Sequence, residues 1–224
     1  MFEHVHVIGT GRAGGAIRAR LAKRGLRVTD GRVPDPSADL VLLCVPDGVI
    51  AEVAATVPVG PWISHVSGAT PLTALAPHER RFGVHPLQTL VKHRGPEQLD
   101  GAWAAIGGET DEALERARWL AETLGLRPFV ITDADRALYH AAAVIGGNAI
   151  VTLHQVAQRL LEAVGAPPKA IEPLMARTVE NGYELTGPIA RGDATTIEAH
   201  LAALEERAPD LVDLYRAIVG ATRR

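Results

Sequence analysis

The stretch VHVIGTGRAG, from Val5 to Gly14, decides the fold class of this chain. It has the pattern of a β-strand that passes through the glycine motif GxGxxG into a helix rich in alanine, arginine and leucine. Gly9 permits a tight turn, Gly11 lets the backbone approach a pyrophosphate, and Gly14 lets the helix pack closely on the strand. The motif predicts a dinucleotide-binding turn, with a purely structural glycine turn as the alternative. The residues assigned to it are Gly9, Thr10, Gly11, Arg12, Ala13 and Gly14.

Composition excludes several classes of partner. The chain has 224 residues, 47% hydrophobic and 22% charged, which is typical of a soluble globular protein. A formal net charge of -3 provides no positive field for nucleic acid. The longest apolar run, residues 38–46, is far shorter than the roughly 20 residues that cross a bilayer, and no signal peptide is evident. We expect a cytoplasmic protein without a membrane or nucleic-acid partner, without a disulfide at the single Cys44, and without a metal site.

The chain divides into a β-rich and a helical part. Residues 1–131 alternate seven short β-rich runs with helical stretches, which predicts a parallel sheet. Helical periodicity then continues to the C-terminus, starting at a capping box in residues 132–135. The predicted fold class is α/β, a Rossmann-type parallel sheet domain in residues 1–131 followed by an all-α dimerisation domain in residues 132–224.

The helical part predicts a homodimer. Its first helix is expected over residues 133–164, a length of roughly 48 Å at 1.5 Å per residue, which is too long for one small core. Further helices are expected over residues 169–183, 194–207 with Asp193 as N-cap, and 209–221. The apolar residues of the first helix expose too much surface for a monomer. They are Val144, Ile145, Ile150, Val151, Leu153, Val156, Leu160 and Leu161.

The residues after the second strand leave the choice of cofactor open. Asp30 stands about 20 positions after the glycines, where an acidic residue accepts the ribose 2′-hydroxyl of NAD. Arg32, helped by Arg12, is suited instead to the 2′-phosphate of NADP, and a solvated turn is the third possibility. The following segment, residues 31–38, is too short for the usual crossover helix and contains Pro34 and Pro36. The adenine side of the site is therefore expected to lack a wall.

The sequence resembles the bacterial Rossmann-like proteins with a C-terminal domain of unknown function, which are distant relatives of 6-phosphogluconate dehydrogenase, pyrroline-5-carboxylate reductase and ketopantoate reductase. The resemblance covers nearly the whole chain. The segments that carry it are GTGRAGGA (9–16), LLCVPD (42–47), HVSGA (65–69), GVHPLQT (83–89), YHAAAVIGGN (139–148) and LTGPIARGD (185–193).

This resemblance implies a Rossmann domain, a helical dimerisation domain and NADP as cofactor, without an assigned substrate. It also implies that the turn at Val45 and Pro46 lies along the ribose on the nicotinamide side, whereas the residues alone equally suggest a helix N-cap at Asp47. The chain departs from its relatives in the short segment 31–38, where longer members carry a helix and a serine-arginine pair. That departure affects the expected cofactor affinity and NADP preference, and not the fold.

Polar residues at the ends of predicted strands are the first candidates for chemistry, because ligands bind beyond the carboxyl ends of the strands in open α/β sheets. His85 precedes a proline, which favours an extended backbone and a fixed imidazole suited to acid-base work. A similar histidine-proline motif contacts substrate in prephenate dehydrogenases. Ser67 is the second candidate, and ordinary strand-end hydrogen bonding is the alternative for both.

Further candidates lie in the helical part. Arg136, His140 and Asn148 share one broad face of the first helix, and buried polar groups there need partners. Related reductases use a lysine and an asparagine on this helix, and His140 takes the place of the lysine here; a histidine inside the dimer core is the alternative. Arg191 suits a substrate carboxylate, or equally a loop contact across subunits.

Three functions remain open. The first is an NAD(P)-dependent oxidoreductase that transfers hydride to a small carbonyl or imine compound, with His140 or His85 moving the proton and Asn148 and Ser67 orienting the substrate. The second is a non-catalytic nucleotide-binding or ligand-sensing protein that retains the fold. The third is oxidation of a cyclohexadienyl acid, as in prephenate dehydrogenase.

Overall fold

The computed structural model describes residues 1–222 and contains one seven-stranded sheet. The strands are β1 (His4–Ile8), β2 (Arg27–Asp30), β3 (Leu40–Leu43), β4 (Trp62–His65), β5 (Arg81–Leu87), β6 (Trp103–Gly108) and β7 (Arg127–Val130). Their order across the sheet is β2-β1-β3-β4-β5-β6-β7. All seven strands lie where the sequence predicts them, and the α/β fold class is confirmed. One end differs: β5 continues beyond the predicted strand exit at His85 through Pro86 to Leu87, because these residues pair with β6.

One strand pair departs from the predicted parallel arrangement. β5 and β6 are antiparallel, with His85 opposite Ala105, whereas every other neighbouring pair is parallel. The residues that join β5 to β6 contain only the short 3-10 helix Pro96–Leu99. A parallel pair needs a crossover, usually a full helix, so this connection is consistent with the reversed direction of β6.

Strand β3 shows how the sheet is buried. Leu40 and Leu42 face the core cluster that includes α1 (Arg12–Lys23) and α3 (Asp111–Thr123), while Val41 and Leu43 face the cluster that includes α2 (Ile50–Thr56). All four side chains are inaccessible to solvent. A continuous apolar run is the sequence pattern of a strand covered on both faces, which explains why the LVLL segment of β3 does not alternate.

The rest of the described chain is helical, as predicted. The helices are α4 (Arg136–Val144), α5 (Ile150–Ala163), α6 (Ile171–Glu180), α7 (Gly187–Arg191), α8 (Ala194–Arg207) and α9 (Val212–Thr222), with a π-helical segment at Ile145–Ala149 between α4 and α5. The remaining 3-10 helices are Asp47–Val49, Leu72–Leu75, Asp133–Asp135, Pro168–Ala170 and Pro209–Leu211. The predicted N-cap is confirmed, since the Asp193 carboxylate accepts a hydrogen bond from the Thr196 backbone N–H at 3.1 Å. The sequence did not predict α7.

Contacts divide the chain into two compact units. The first comprises Met1–Gly147 and includes the sheet together with α4, and the second comprises Asn148–Arg224. The second unit has a small core of its own, in which Val156 and Leu160 pack against Leu204, Leu211 and neighbouring residues. The two units divide after residue 147, and the predicted domain boundary at residue 131 stays a prediction.

Candidate functional site

The glycine turn after β1 is shaped by two close backbone approaches. Gly9 has a φ of +98°, and a β-carbon there would lie 2.4 Å from the carbonyl oxygen of Cys44. A β-carbon at Gly14 would lie 1.8 Å from the carbonyl oxygen of Gly9. Both glycines therefore satisfy a packing requirement of the fold itself, because no larger residue fits at either position.

Gly11 differs from these two glycines. It is exposed, and a β-carbon at this position would meet no atom within 4 Å. It is the N-cap residue of α1, with an extended ψ of -157°, no side chain hydrogen-bonded as a cap and no acidic residue in the first turn. The first N–H groups of α1 thus have no side-chain cap, and the space in front of Gly11 is open. This arrangement fits a pyrophosphate, which binds well at a helix N-terminus.

The turn also lies at the switch point of the sheet. β1 pairs with β2 on one side and with β3 on the other, so the strand order reverses between β1 and β3. In open α/β sheets, a crevice forms outside the carboxyl ends of the strands at such a point. Val45 and Pro46 follow β3 there. The Val45 side chain lies near Gly9, 3.2 Å from the position of a β-carbon on it, and Pro46 is the exposed N-cap residue of Asp47–Val49.

The residues predicted to distinguish NAD from NADP are Asp30, at the end of β2, together with Arg32 and with Arg12 at the start of α1. Asp30 is the last residue of β2, opposite Val7, and its carboxylate accepts a hydrogen bond from Arg18 at 2.8 Å. Arg12 and Arg32 are exposed. The Asp30–Arg18 pair is itself partly exposed, so it leaves the carboxylate accessible without deciding between a hydroxyl and a phosphate.

The segment between β2 and β3 contains no helix, as predicted. Two buried histidines of β1 hold it: His4 Nδ1 donates to the carbonyl of Ser37 at 3.0 Å, and His6 Nε2 donates to the carbonyl of Gly31 at 3.3 Å. Thr29 Oγ1 lies 2.9 Å from His4 Nε2 and 2.9 Å from His6 Nδ1. The short return of the chain is thus ordered by side chains of the sheet in place of a crossover helix.

Two of the predicted catalytic residues meet at Gly68. A β-carbon at Gly68 would lie 2.8 Å from Cδ2 of His140 and 2.9 Å from Cε1 of His85. The two imidazole rings are 6.0 Å apart and nearly perpendicular. The structure therefore brings His85 of β5 and His140 of α4 onto one backbone position that follows β4, as the sequence predicts for residues at one edge of the sheet.

The environment of His85 keeps its imidazole neutral. Burial lowers the pKa of His85 to about 4, and the positive potentials of His140 and Arg136 act in the same direction, against the carboxylate of Asp47. Its Nδ1 lies 2.6 Å from the hydroxyl oxygen of Tyr139. Burial also raises the pKa of Tyr139 to about 12, so the phenol keeps its proton at neutral pH.

Ser67 follows β4, and its hydroxyl makes the local hydrogen bonds that the sequence left open as its alternative role. Its side chain is buried, and its Oγ accepts hydrogen bonds from the backbone N–H groups of Ala69 at 3.2 Å and Thr70 at 3.0 Å. The hydroxyl donates to Thr70 Oγ1 at 2.9 Å. Ser67 thus shapes the turn that presents Gly68, while its role in orienting substrate stays a prediction.

A buried arginine lies beneath this cluster. Arg136 is 2% exposed, its Nε donates to the Asp133 carboxylate at 2.5 Å, and Asp133 also accepts from the backbone N–H of Leu72 at 2.7 Å. Nη2 of Arg136 occupies the space above Gly83 and Gly107, 2.9 Å and 2.7 Å from their β-carbon positions. The ion pair therefore connects the start of α4, which carries Tyr139 and His140, to β5 and β6.

Sequence reasoning missed Tyr139 and His65. His65, at the end of β4, is fully buried; its Nδ1 accepts from the Ser67 N–H at 3.2 Å, and burial lowers its pKa to about 4. The signal for Tyr139 was its position next to His140 in the YHAAAVIGGN segment. The burial of His65 had no signal beyond its place at a strand end.

The other predicted residues belong to the second unit. Asn148 is exposed and lies in the π-helical segment, and Arg191 is exposed and ends α7. Their roles stay predictions. Within residues 1–222, no group of histidine, cysteine, aspartate and glutamate side chains is arranged to hold a metal ion. In the same residues, no helix has the length and apolar character that crossing a membrane requires.

Solved structures with this fold come from several organisms. A protein from Bacteroides fragilis, provisionally named an NADP oxidoreductase, is 20% identical with a TM-score of 0.81, covering 99% of this chain and 98% of its own. A protein from Thermotoga maritima is 24% identical with a TM-score of 0.79, covering 98% and 96%. A reductive aminase from Aspergillus terreus, solved with NADPH and ethyl levulinate, is 16% identical with a TM-score of 0.68, covering 100% and 93%. At these identities the likeness shows a shared fold.

Among curated proteins, none matches the sequence. A family model does match: the domain of unknown function DUF2520 covers residues 102–222, from the start of β6 to the end of α9. This match spans more than half of the 224 residues. The chain therefore belongs to the DUF2520 family.

Proposed function

We propose that this protein is an NAD(P)-dependent oxidoreductase of the 6-phosphogluconate dehydrogenase-like superfamily, which transfers hydride between a nicotinamide cofactor and a small carbonyl or imine compound. The observation that carries the proposal is the open space at Gly11, in front of an uncapped helix N-terminus at the switch point of the sheet. The names of structural neighbours support it, since they include an NADP oxidoreductase and a reductive aminase with bound NADPH.

In this proposal the cofactor is held by backbone N–H groups and by side chains of the first unit. The N–H groups at the start of α1 would bind the pyrophosphate, Asp30, Arg32 and Arg12 would hold the adenosine ribose, and Val45 and Pro46 would lie along the ribose of the nicotinamide. When bound, the nicotinamide would supply or accept the hydride. The cluster at Gly68 supplies the groups that move a proton, since His85 and His140 are the two imidazoles brought together there. Asn148, Ser67 and Arg191 are proposed to orient the substrate.

The Gly11→Asp substitution tests cofactor binding without disturbing the fold. A β-carbon at position 11 meets no atom within 4 Å, and aspartate is a good N-cap residue, so we expect an unchanged or slightly raised melting temperature. The carboxylate occupies the place proposed for the pyrophosphate and repels it. We therefore expect NADP and NAD affinity measured by calorimetry to fall at least 100-fold.

The matched control is Gly220→Asp, the same change at an exposed helical glycine of the second unit with open space around it. This variant is expected to bind cofactor as the parent does. A parent protein that binds neither NADP nor NAD at millimolar concentration refutes the proposal and favours a ligand sensor. The helix-free segment between β2 and β3 is the observation that favours a non-catalytic ligand sensor as the second candidate function.

We further propose that the protein is a homodimer formed through its second unit. α5 and α6 bury no side chain fully, although both are apolar on one face. Val151 is 55% exposed and Leu174 is 63% exposed. Val156 and Leu160 pack into the core of the unit itself, so the remaining apolar residues form the surface that a second copy covers.

Light scattering tests this proposal directly. We expect a mass of about twice 23.8 kDa at micromolar concentration. The double substitution Val151→Glu and Leu174→Glu is expected to give a folded monomer, because it places charges on the apolar surface. Glu172→Gln, on the same helix as Leu174 and close to it in sequence, is the control that should leave the dimer intact. A parent protein of 23.8 kDa would exclude the dimer.

A further inference from the structure

The hydroxyl of Tyr139 is aimed by packing. The Tyr139 ring makes edge-to-face contacts with His85 on one side, at 5.5 Å between centroids, and with Phe129 of β7 on the other, at 5.8 Å. These contacts fix the ring between two strands of the sheet, and its oxygen lies 2.6 Å from His85 Nδ1. The short distance makes this a strong hydrogen bond.

Chemistry decides which atom of this pair donates. Both groups are uncharged at neutral pH, because burial lowers the pKa of His85 to about 4 and raises the pKa of Tyr139 to about 12. Between two neutral groups, the phenol is the stronger acid and the imidazole nitrogen is the stronger base. The phenol O–H therefore donates, and Nδ1 accepts with its lone pair.

We infer that Tyr139 is a positioning residue that holds His85 in the neutral tautomer with its proton on Nε2. Within residues 1–222, the His85 side chain makes its hydrogen bond to the protein through Nδ1, and Nε2 makes none. Since the other nitrogen is occupied by Tyr139, the imidazole offers a single uncharged N–H donor to a ligand. His85 then binds by hydrogen bonding, and of the two histidines in the proposed function His140 is the one left to move a proton.

This inference deepens the proposed function and rests on it for the identity of the ligand. An uncharged N–H group donates to an atom with a free lone pair, such as a carbonyl oxygen or an unprotonated imine nitrogen. A protonated iminium or ammonium group has no lone pair and gains nothing from this donor. Tyr139 thereby selects the kind of substrate atom that His85 binds.

Nuclear magnetic resonance measures the tautomer in the protein without cofactor or substrate. With ¹⁵N-labelled histidine, protonated and unprotonated ring nitrogens have well-separated resonances, and the His85→Gln substitution identifies the His85 signals among nine histidines. At pH 7 we expect a protonated Nε2 and an unprotonated, hydrogen-bonded Nδ1. A protonated Nδ1 in the parent protein overturns the inference.

The Tyr139→Phe substitution tests the cause. It keeps the aromatic contacts and removes the hydroxyl, so both tautomers of His85 become populated and its two nitrogen resonances move towards each other. Tyr215→Phe is the matched control, because Tyr215 lies 2.7 Å from His200 Nδ1 with a similar edge-to-face geometry in the second unit. It should change the His200 signals and leave those of His85 unchanged.

A fluorinated tyrosine provides a second test of the hydrogen bond. If Tyr139→Phe does not fold, incorporation of 3-fluorotyrosine makes the phenol a stronger donor and is expected to shift the His85 Nδ1 resonance towards that of a protonated nitrogen. Unchanged His85 signals in a folded Tyr139→Phe protein refute the role of Tyr139. Failure of the proposed function would be seen separately, as absent NADP and NAD binding in calorimetry beside an intact tautomer signature.

Discussion

Replacing Gly14 with alanine is expected to lower the free energy of unfolding by about 3 kcal/mol, the upper end of the roughly 1 to 3 kcal/mol that overpacking a tight site typically costs. The added β-carbon would lie 1.8 Å from the carbonyl oxygen of Gly9, which is a backbone atom and cannot rotate away. The turn must open for α1 to accept the methyl group. Urea unfolding followed by circular dichroism measures the loss.

The neighbouring residue provides the control. A β-carbon at Gly15 would lie 3.8 Å from the carbonyl oxygen of Thr10, which is an ordinary contact. Because alanine favours a helix over glycine by about 1 kcal/mol, Gly15→Ala is expected to stabilise the protein slightly. Equal unfolding midpoints for the two variants would show that the close approach of α1 to the turn does not hold in solution.

The second large effect is expected for Arg136→Ala. Removing one partner of a buried ion pair typically costs about 3 to 5 kcal/mol, and the lower value applies here because Asp133 keeps partial access to water. Arg136 is 2% exposed and fills the space above Gly83 and Gly107. The substitution therefore leaves a cavity as well as an unpaired carboxylate, and the unfolding midpoint in urea should fall accordingly.

Arg177→Ala is the comparison for this prediction. Arg177 forms an ion pair with Glu180, also three residues away along a helix, but both side chains are at least 60% exposed. Such surface pairs contribute roughly 0 to 1 kcal/mol, so the unfolding midpoint in urea should change little. A loss from Arg136→Ala as small as that from Arg177→Ala would mean that Arg136 is not part of the core.

The fold was predictable because its signals are local. The seven apolar runs give the strands, and helix α8 begins and ends where its N-cap at Asp193 and its periodicity place it. The direction of β6 was not predictable in the same way, since it depends on what joins it to β5. α7 was missed because a five-residue helix carries little periodic signal.

The candidate site was predictable where strand ends determine it. His85 and His140 meet because β5, near its C-terminal end, and the helix that follows the sheet bring them to Gly68. Tyr139 and Arg136 were harder to interpret, since their roles depend on packing partners that are distant in sequence, Phe129 and the glycines of β5 and β6. Hydroxyls such as that of Ser67 are the least predictable, because a turn and a ligand compete for the same oxygen.

The difference between Gly11 and the two other glycines of the motif has a consequence for how proteins with this turn diverge. A mutation at Gly9 or Gly14 is removed by selection for folding alone, because neither position has room for a side chain. Position 11 is under no such constraint, and an aspartate or serine there would even cap α1. In a lineage that stopped binding a dinucleotide, drift would therefore reach position 11 first, while positions 9 and 14 stayed glycine. The residue at position 11 would thus distinguish relatives that bind the proposed dinucleotide from those that keep only the scaffold.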